Sequence, residues 1–446
     1  MKNWSFAYVI VKQIVRLAFW LSHKRITIIG LSKIPKNKPI IFAPNHQNAL
    51  MDPLAVLCTN FTQPVWLARA DIFKLKATKP ILRFLKMLPI YRIRDGKENL
   101  GENEKIFSEA IQVLENKKVL ALFPEAAHSG KRQMLSHKKA IPRIAFMAEE
   151  KNKFKLQLQI VPVGIYYSHY WHFNRELLVQ YGEPINVDNY REEYQENPLR
   201  ANMSLRAVIE QRVGELTINI KSKKHYKNYE LIRELIGDEY GKANKKYRNH
   251  TRNRLFNDQK LIKSLEKKEQ SQPELFAEIH QKLDLLRESL HLLKLNNNHL
   301  KESNLQTWKL LGKSIFAFML LPIIIAGFLL HVVPFLIPRY YIQKRVKDPT
   351  FLSTFQFVGG LVIYILLCLF SGIVFFIITK HFGWTLIIIA AIFLIGKLSY
   401  AAFQFIKNLE EKYLFFIYAK KNKEAATKLL QQKKEMKEAL YELATN

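Results

Sequence analysis

The sequence predicts an α/β domain, a mixed sheet flanked by helices, followed by a charged helical region and C-terminal transmembrane helices. Three observations carry this. Between about Lys24 and Val187, short apolar strands alternate with helical periodicity and hairpin signals are few, which argues for a sheet with helices packed on it. Residues 188–312 are charged and helical in period, with few strand formers. Three long apolar stretches then follow residue 313, long enough to cross the roughly 30 Å hydrocarbon core of a bilayer. A chain of 446 residues exceeds one ordinary core, so two or three structural units are expected.

The elements follow in order. Trp4–Leu21 is apolar except for Ser5, Lys12, Gln13 and Arg16. On a helix Ser5, Lys12 and Arg16 share one narrow stripe, leaving a broad apolar face with Trp4, Phe6, Phe19 and Trp20. Residues 1–23 therefore read as an amphipathic helix lying in the membrane interface, with an amphipathic core helix as the alternative. Charges interrupt the apolar run and no small-residue cleavage site follows, which argues against a signal peptide. Strands are expected at Ile26–Gly30, Ile40–Ala43, Val65–Arg69, Ile90–Ile93, Val119–Phe123, Leu158–Tyr167 and Leu177–Tyr181, with helices at Ile106–Glu115 and Lys138–Glu149. Together they make a domain over residues 24–190.

Residues 191–312 form the charged helical region. Lys221–Arg254 holds eleven Lys/Arg against four Asp/Glu, and Leu261–Leu300 reads as an amphipathic helical pair broken near Pro273. The transmembrane segments are 314–337, 355–379 and 382–405, the last passing Lys397, whose ammonium can snorkel to the headgroups. Residues 406–446 form a basic helical tail with nine lysines counted from Lys407. Phe355–Thr379 and Phe382–Phe405 are expected to span as a hairpin. Ser314–Ile337, interrupted by Pro322 and Pro334, is expected to be re-entrant or partly interfacial. The domain at 24–190 and the lysine-rich tail then both face the cytoplasm; three full crossings are the alternative and would put one of them outside.

A net charge of +31 calls for an anionic partner. No groove-reading or base-stacking motif accompanies the basic residues, so membrane lipids are the expected partner and nucleic acid is not. Cys58 and Cys368 lie in apolar contexts and offer neither a disulfide framework nor a zinc site.

Residues 45–52, Asn-His-Gln-Asn-Ala-Leu-Met-Asp, place a base and a potential orienting acid in one loop after an apolar strand. Asp52-Pro53 reads as a helix start, with Asp at the N-cap and Pro at the first helical position. The pair thus falls at a strand's C-terminal end, where α/β folds bind ligands. Further blocks follow in order: Pro89-Ile-Tyr-Arg92 with Arg94 beyond it, Phe123-Pro-Glu125-Ala-Ala-His-Ser129, Val161-Pro-Val-Gly164 and Tyr181-Gly-Glu-Pro184.

These blocks resemble, over about residues 25–190, the glycerophospholipid acyltransferase superfamily, which contains the lysophosphatidic acid and glycerol-3-phosphate acyltransferases. Members show an Asn-His…Asp loop, a Pro-Val-x-Arg segment, a Phe-Pro-Glu-Gly segment and a Val-Pro-Val-Gly/Ala segment. Four residues usually separate His from Asp; this chain has five, Gln47–Met51. That spacing is similar to a branch that acylates glycerol 3-phosphate or dihydroxyacetone phosphate and carries C-terminal membrane segments.

The resemblance implies a membrane-bound O-acyltransferase that moves a fatty acyl group from acyl-CoA or acyl carrier protein to glycerol 3-phosphate or 1-acylglycerol 3-phosphate. A free alcohol is a poor nucleophile at neutral pH, so His46 would act as general base and Asp52 would orient the imidazole. Backbone N–H groups around the loop are candidates for the oxyanion. Arg92 is the first candidate for the acceptor's phosphate, with Arg94 behind it. Glu125 is placed to accept hydrogen bonds from glycerol hydroxyls or to serve as a structural carboxylate. Ser129 and Lys131 complete the substrate-binding set, and Gly164 permits close packing. The third block departs from the usual Pro-Glu-Gly-Thr-Arg-Ser: Ala126 stands in place of glycine, and His128 in place of an arginine whose charge Lys131 or Arg132 would have to supply. No cofactor beyond the thioester donor is expected. The alternatives are a lysophospholipid-remodelling acyltransferase and a non-catalytic lipid-binding scaffold.

Overall fold

The computed structural model describes residues 5–73, 78–91, 101–171, 173–295, 297, 300, 307–345 and 351–445. The chain divides into two units: residues 1–219, 249–255 and 348–354 form the first, and residues 220–248, 256–347 and 355–446 the second.

In chain order the first unit holds α1 (Phe6–Leu21), β1 (His23–Ile29), β2 (Ile40–Pro44), α2 (Met51–Thr59), β3 (Val65–Arg69), α3 (Thr78–Phe84), β4 (Met87–Ile90), α4 (Glu102–Glu115), β5 (Val119–Ala121), α5 (Ala140–Lys151), β6 (Gln159–Tyr167), β7 (Arg175–Tyr181), β8 (Ile185–Asn186), α6 (Arg191–Glu196) and α7 (Pro198–Gly214). The strands make one eight-stranded sheet in the order β1-β7-β6-β2-β5-β3-β4, with β8 also on β6. β7 and β8 run antiparallel to β6, while the remaining pairings are parallel, so the sheet is mixed as the sequence predicts. For the strand expected at Ile90–Ile93, residues 92–93 lie outside the described residues, and the described strand is Met87–Ile90. Its register against β3, from Trp66↔Met87 to Arg69↔Ile90, puts Leu88 in the core.

β2 and β6 are buried along their whole length, as continuous apolar runs are when helices cover both faces of a parallel region. Ile41, Leu67, Leu120 and Ile160 pack with Leu114 of α4, Ile144 of α5 and Leu205 of α7 in one core. At Gly164 of β6 an added Cβ would lie 2.3 Å from the Leu216 carbonyl oxygen. Gly164→Ala is therefore expected to destabilise the first unit by about 3 kcal/mol, because the clash is with backbone and cannot relax by a rotamer change. Thermal unfolding in detergent checks this; an unchanged midpoint would show that β6 and the 216 turn have room to separate.

α1 holds its polar stripe to the domain and presents an apolar stripe outward. Lys12 is buried and its Nζ donates to the carbonyls of Asn60 (3.1 Å) and Thr62 (2.6 Å), while Arg16 lies over the Phe61 ring. Burial pushes the Lys12 ammonium down to about 8. Tyr8 and Phe19 are also buried, and Phe6, Ile10, Ile14 and Leu17 form an exposed apolar stripe. The polar stripe thus holds the helix to its own domain.

The second unit contains α8 (Tyr226–Ala243), most of α9 (His250–Ser271), α10 (Pro273–Leu292), α11 (Thr307–Arg345), α12 (Leu352–Thr379, from residue 355 on), α13 (Phe382–Lys421) and α14 (Lys423–Thr445). α11, α12 and α13 are long and apolar enough to cross a membrane, and the chain is an integral membrane protein. α11 is a single helix through Pro322 and Pro334, so the interruption expected at the two prolines does not occur. α11 and α13 pack antiparallel along their length, the Ser314 hydroxyl meeting that of Tyr413 at 2.6 Å and Phe316 lying edge-on to Phe405. α12 touches α13 at fewer points, where Tyr364 stacks on Phe393 and Gly372 faces Ile389. His331 of α11 joins all three helices, paired with the Ile392 carbonyl at 3.0 Å and the Tyr364 hydroxyl at 2.6 Å. The basic tail helix α14 packs back on α8 and α10, with Lys433 Nζ donating to the carbonyls of Asn297 and Leu300, both at 2.8 Å.

Candidate active site

β2 sits in the interior of the sheet between β5 and β6, and the chain leaves its C-terminal end into the loop at residues 45–50. Asn45 extends the ladder with its side chain: its N–H donates to Val163 O, its Nδ2 to Ile165 O, and its Oδ1 accepts from Ile165 N–H. This pins the loop's first residue to β6. His46 N–H then donates to Glu125 Oε1 at 2.8 Å, which ties the loop to the chain leaving β5.

The imidazole of His46 stacks on Phe123, with ring centroids 3.9 Å apart, and its Nδ1 lies 2.9 Å from Asp52 Oδ2. The same carboxylate oxygen accepts the backbone N–H groups of Gln47 and Asn48, each at 2.7 Å. Nδ1–H donation to the carboxylate fixes the neutral tautomer with Nε2 free to accept a proton. Asp52 has 1% of its side chain exposed and His46 14%, so only the imidazole of the pair meets solvent or substrate.

Asp52 is not the helix cap. α2 begins at Met51, its N-cap is Leu50, and no side chain caps it. The carboxylate, one position inside, turns back to the loop amides and His46, and Pro53 falls after it rather than at the first helical position. The loop amides are consumed inward. Asn45 binds Val163 O, His46 binds Glu125, Gln47 and Asn48 bind Asp52, Leu50 binds Thr354 Oγ1, and Met51 binds Asn48 O. None of these six is left to stabilise an oxyanion.

Glu125 is 1% exposed, and its second oxygen accepts Leu135 N–H at 2.9 Å. Both oxygens therefore bind main chain, matching its structural alternative. Burial pushes the carboxyl from 4.5 up to about 8, against the two amides, which pull it down. A raised pKa means that the folded state holds the proton more tightly. The stability this group contributes is full below about pH 4.5 and is lost as pH rises through about 8. The stability difference between the wild type and Glu125→Gln, which does not titrate, is expected to shift against the wild type between pH 5 and 9. Thermal unfolding across that range checks it; a flat difference would place the proton elsewhere.

Arg92 and Arg94 lie outside the described residues. Ser129 closes a turn, its Oγ donating to the carbonyls of Lys131 and Gln133, and Lys131 is exposed. Arg132 points inward, donating to the carbonyls of Tyr167 and Ser168 and lying over the Tyr170 ring. Ala126 adopts φ 56°, a left-handed conformation that glycine occupies at less cost. His128 meets His46 edge-on, 5.4 Å between ring centroids.

The supporting residues outside the loop have no local signal in the sequence. Asn48 Nδ2 donates to Tyr170 O, the Tyr170 hydroxyl donates to Gln47 Oε1, and Gly130 N–H donates to Gln47 O. Behind Asp52, burial and then the Asp52 carboxylate push the Tyr167 hydroxyl far above its usual value. Arg175, buried with its guanidinium 4.5 Å from the Tyr167 ring centroid, supplies positive charge there. Among the described residues one group has metal-ligating atoms close together, His225, Glu269 and His280. Its two imidazoles stack face to face at 3.8 Å and 3°, so their in-plane lone pairs do not converge on one ion. Glu269 already pairs with His280 and accepts from Tyr229.

Residues 25–166 match the family model described as Acyltransferase. Among solved structures, the chain is similar to the crystal structure of the 1-acyl-sn-glycerophosphate (LPA) acyltransferase of Thermotoga maritima. That similarity has 22% identity and a TM-score of 0.35, covering 48% of this chain and 81% of that one. No curated protein matches the chain.

Proposed function

We propose that the protein is a membrane-bound O-acyltransferase that transfers a fatty acyl group from an acyl thioester, on CoA or acyl carrier protein, to glycerol 3-phosphate or 1-acylglycerol 3-phosphate. The observation that carries this reading is the His46–Asp52 pair at 2.9 Å, within the stretch that matches the acyltransferase family model. His46 Nε2 takes the proton of the acceptor hydroxyl as its oxygen attacks the thioester carbonyl. The C–O bond forms, the C–S bond breaks as the tetrahedral intermediate collapses, and the imidazolium returns its proton to the leaving thiolate. Asp52 holds the imidazole and stabilises its charged form. Arg92, with Arg94, Ser129 and Lys131, is assigned to the acceptor on the resemblance of its block. His128, in place of the family's arginine beside His46, favours a second reading, a remodelling enzyme for larger lysophospholipids.

The catalytic unit is assigned to the cytoplasmic face. The packing of α14 on α8 and α10 supports a common side for the chain before α11 and after α13, and so an even number of crossings; α12 and α13 are assigned as the spanning hairpin. Transfer of labelled acyl groups from both donors to a panel of acceptors tests the function. Phosphate-bearing acceptors should be used by the wild type and weakened about tenfold or more by Arg92→Ala. Equal use of phosphate-free alcohols, or no transfer at all, would overturn the reading.

A further inference from the structure

A short segment far along the chain reaches the catalytic loop. Leu50 N–H donates to Thr354 Oγ1 at 3.1 Å, across 304 positions, and Ser353 Oγ donates to Asn48 Oδ1 at 2.8 Å. Both hydroxyl residues are buried at 8% exposure, in the first turn of the otherwise apolar α12. Between their two partners lies Ala49, at φ 33°, outside the basins that side-chain-bearing residues favour. Phe351, just ahead, meets His128 edge-on with ring centroids 4.9 Å apart, and His128 in turn meets His46.

We propose that Ser353 and Thr354 are positioning residues of the catalytic centre, clamping the strained turn at Asn48–Leu50 so that the loop amides and Asp52 hold His46 in its working orientation. The proposal rests on the acyltransfer reading for its kinetic consequence, but its structural part stands alone. The turn lies inside the five-residue spacer between His46 and Asp52, and its Ala49 backbone needs support on both sides to persist. Asn48 receives it on the side chain and Leu50 on the backbone. Thr354 precedes Phe355 directly, so the loop is fixed by residues at the head of a membrane segment. Local residues of the loop supply neither contact.

The test uses the full chain in lipid nanodiscs, comparing wild type, Ser353→Ala/Thr354→Val and Ser353→Ala/Thr354→Ser. Amide exchange in peptides covering residues 45–52 should quicken about tenfold in the Val variant and recover in part with serine, while β6 and α5 keep their protection. kcat should fall about tenfold with the acceptor KM unchanged within about twofold. Unchanged exchange in residues 45–52 would overturn the proposal, as would lost protection throughout the first unit. Quickened exchange with unchanged kcat would overturn the catalytic part. Should the wild type acylate no acceptor, the acyltransfer reading fails, and the exchange comparison still decides whether the clamp exists.

Discussion

His46→Ala is expected to lower acyl transfer by about 10²- to 10⁴-fold, the contribution typical of a positioned general base. The imidazole is the more exposed member of the pair; its neighbour Phe123 also stacks on Trp66 of β3, and Glu125 is held by main-chain amides. The variant should therefore fold with a near-native melting temperature and retain acceptor binding. Initial rates of labelled acyl transfer by purified protein check this, with the acceptor KM measured alongside. Undiminished turnover would refute the mechanism. A loss seen only in KM would make His46 a binding residue.

Asp52→Asn is expected to lower kcat about 10²- to 10³-fold, for a different reason. The carboxylate oxygen that faces His46 Nδ1 also accepts two backbone N–H groups. An asparagine can place its carbonyl oxygen at the same point and keep all three bonds, with its NH₂ where Oδ1 lies. Nδ1–H then still donates and Nε2 stays the acceptor, but the negative charge that stabilises the imidazolium is gone. Loss of a charged acceptor in a buried site should also cost about 1–3 kcal/mol of stability. Nitrogen-15 shifts of His46 report the tautomer, expected unchanged; a switched tautomer would move the cause from charge to proton placement.

Much of the sheet could be read from apolar runs, because strands buried on both faces leave little room for polar residues. β3 falls at the predicted Val65–Arg69, and β2 and β6 differ by one residue at one end. The fourth strand begins at Met87, ahead of its expected start, because its register is set by β3, not by its own composition. The His46–Asp52 partnership was legible in sequence, but the role of Asp52 at the helix start was not. Capping rules weigh the residues of the helix itself, whereas this carboxylate is claimed by amides four and five positions earlier. Periodicity located the two faces of α1, but not what holds the polar one to the domain, the carbonyls of Asn60 and Thr62, 48 and 50 positions away. Tyr170, Arg175, Ser353 and Thr354 were invisible for the same reason: each reaches the site only through the tertiary fold.

The inward use of the loop amides has one further consequence. Fixing a residue's backbone costs about 1–2 kcal/mol of conformational entropy, and residues 45–52 are ordered by bonds made within the protein. That ordering is completed during folding and is not drawn from the binding energy of each acceptor. A centre arranged in this way is ready before its substrate arrives, and, on the proposed function, binding energy from the acceptor remains available for lowering the barrier.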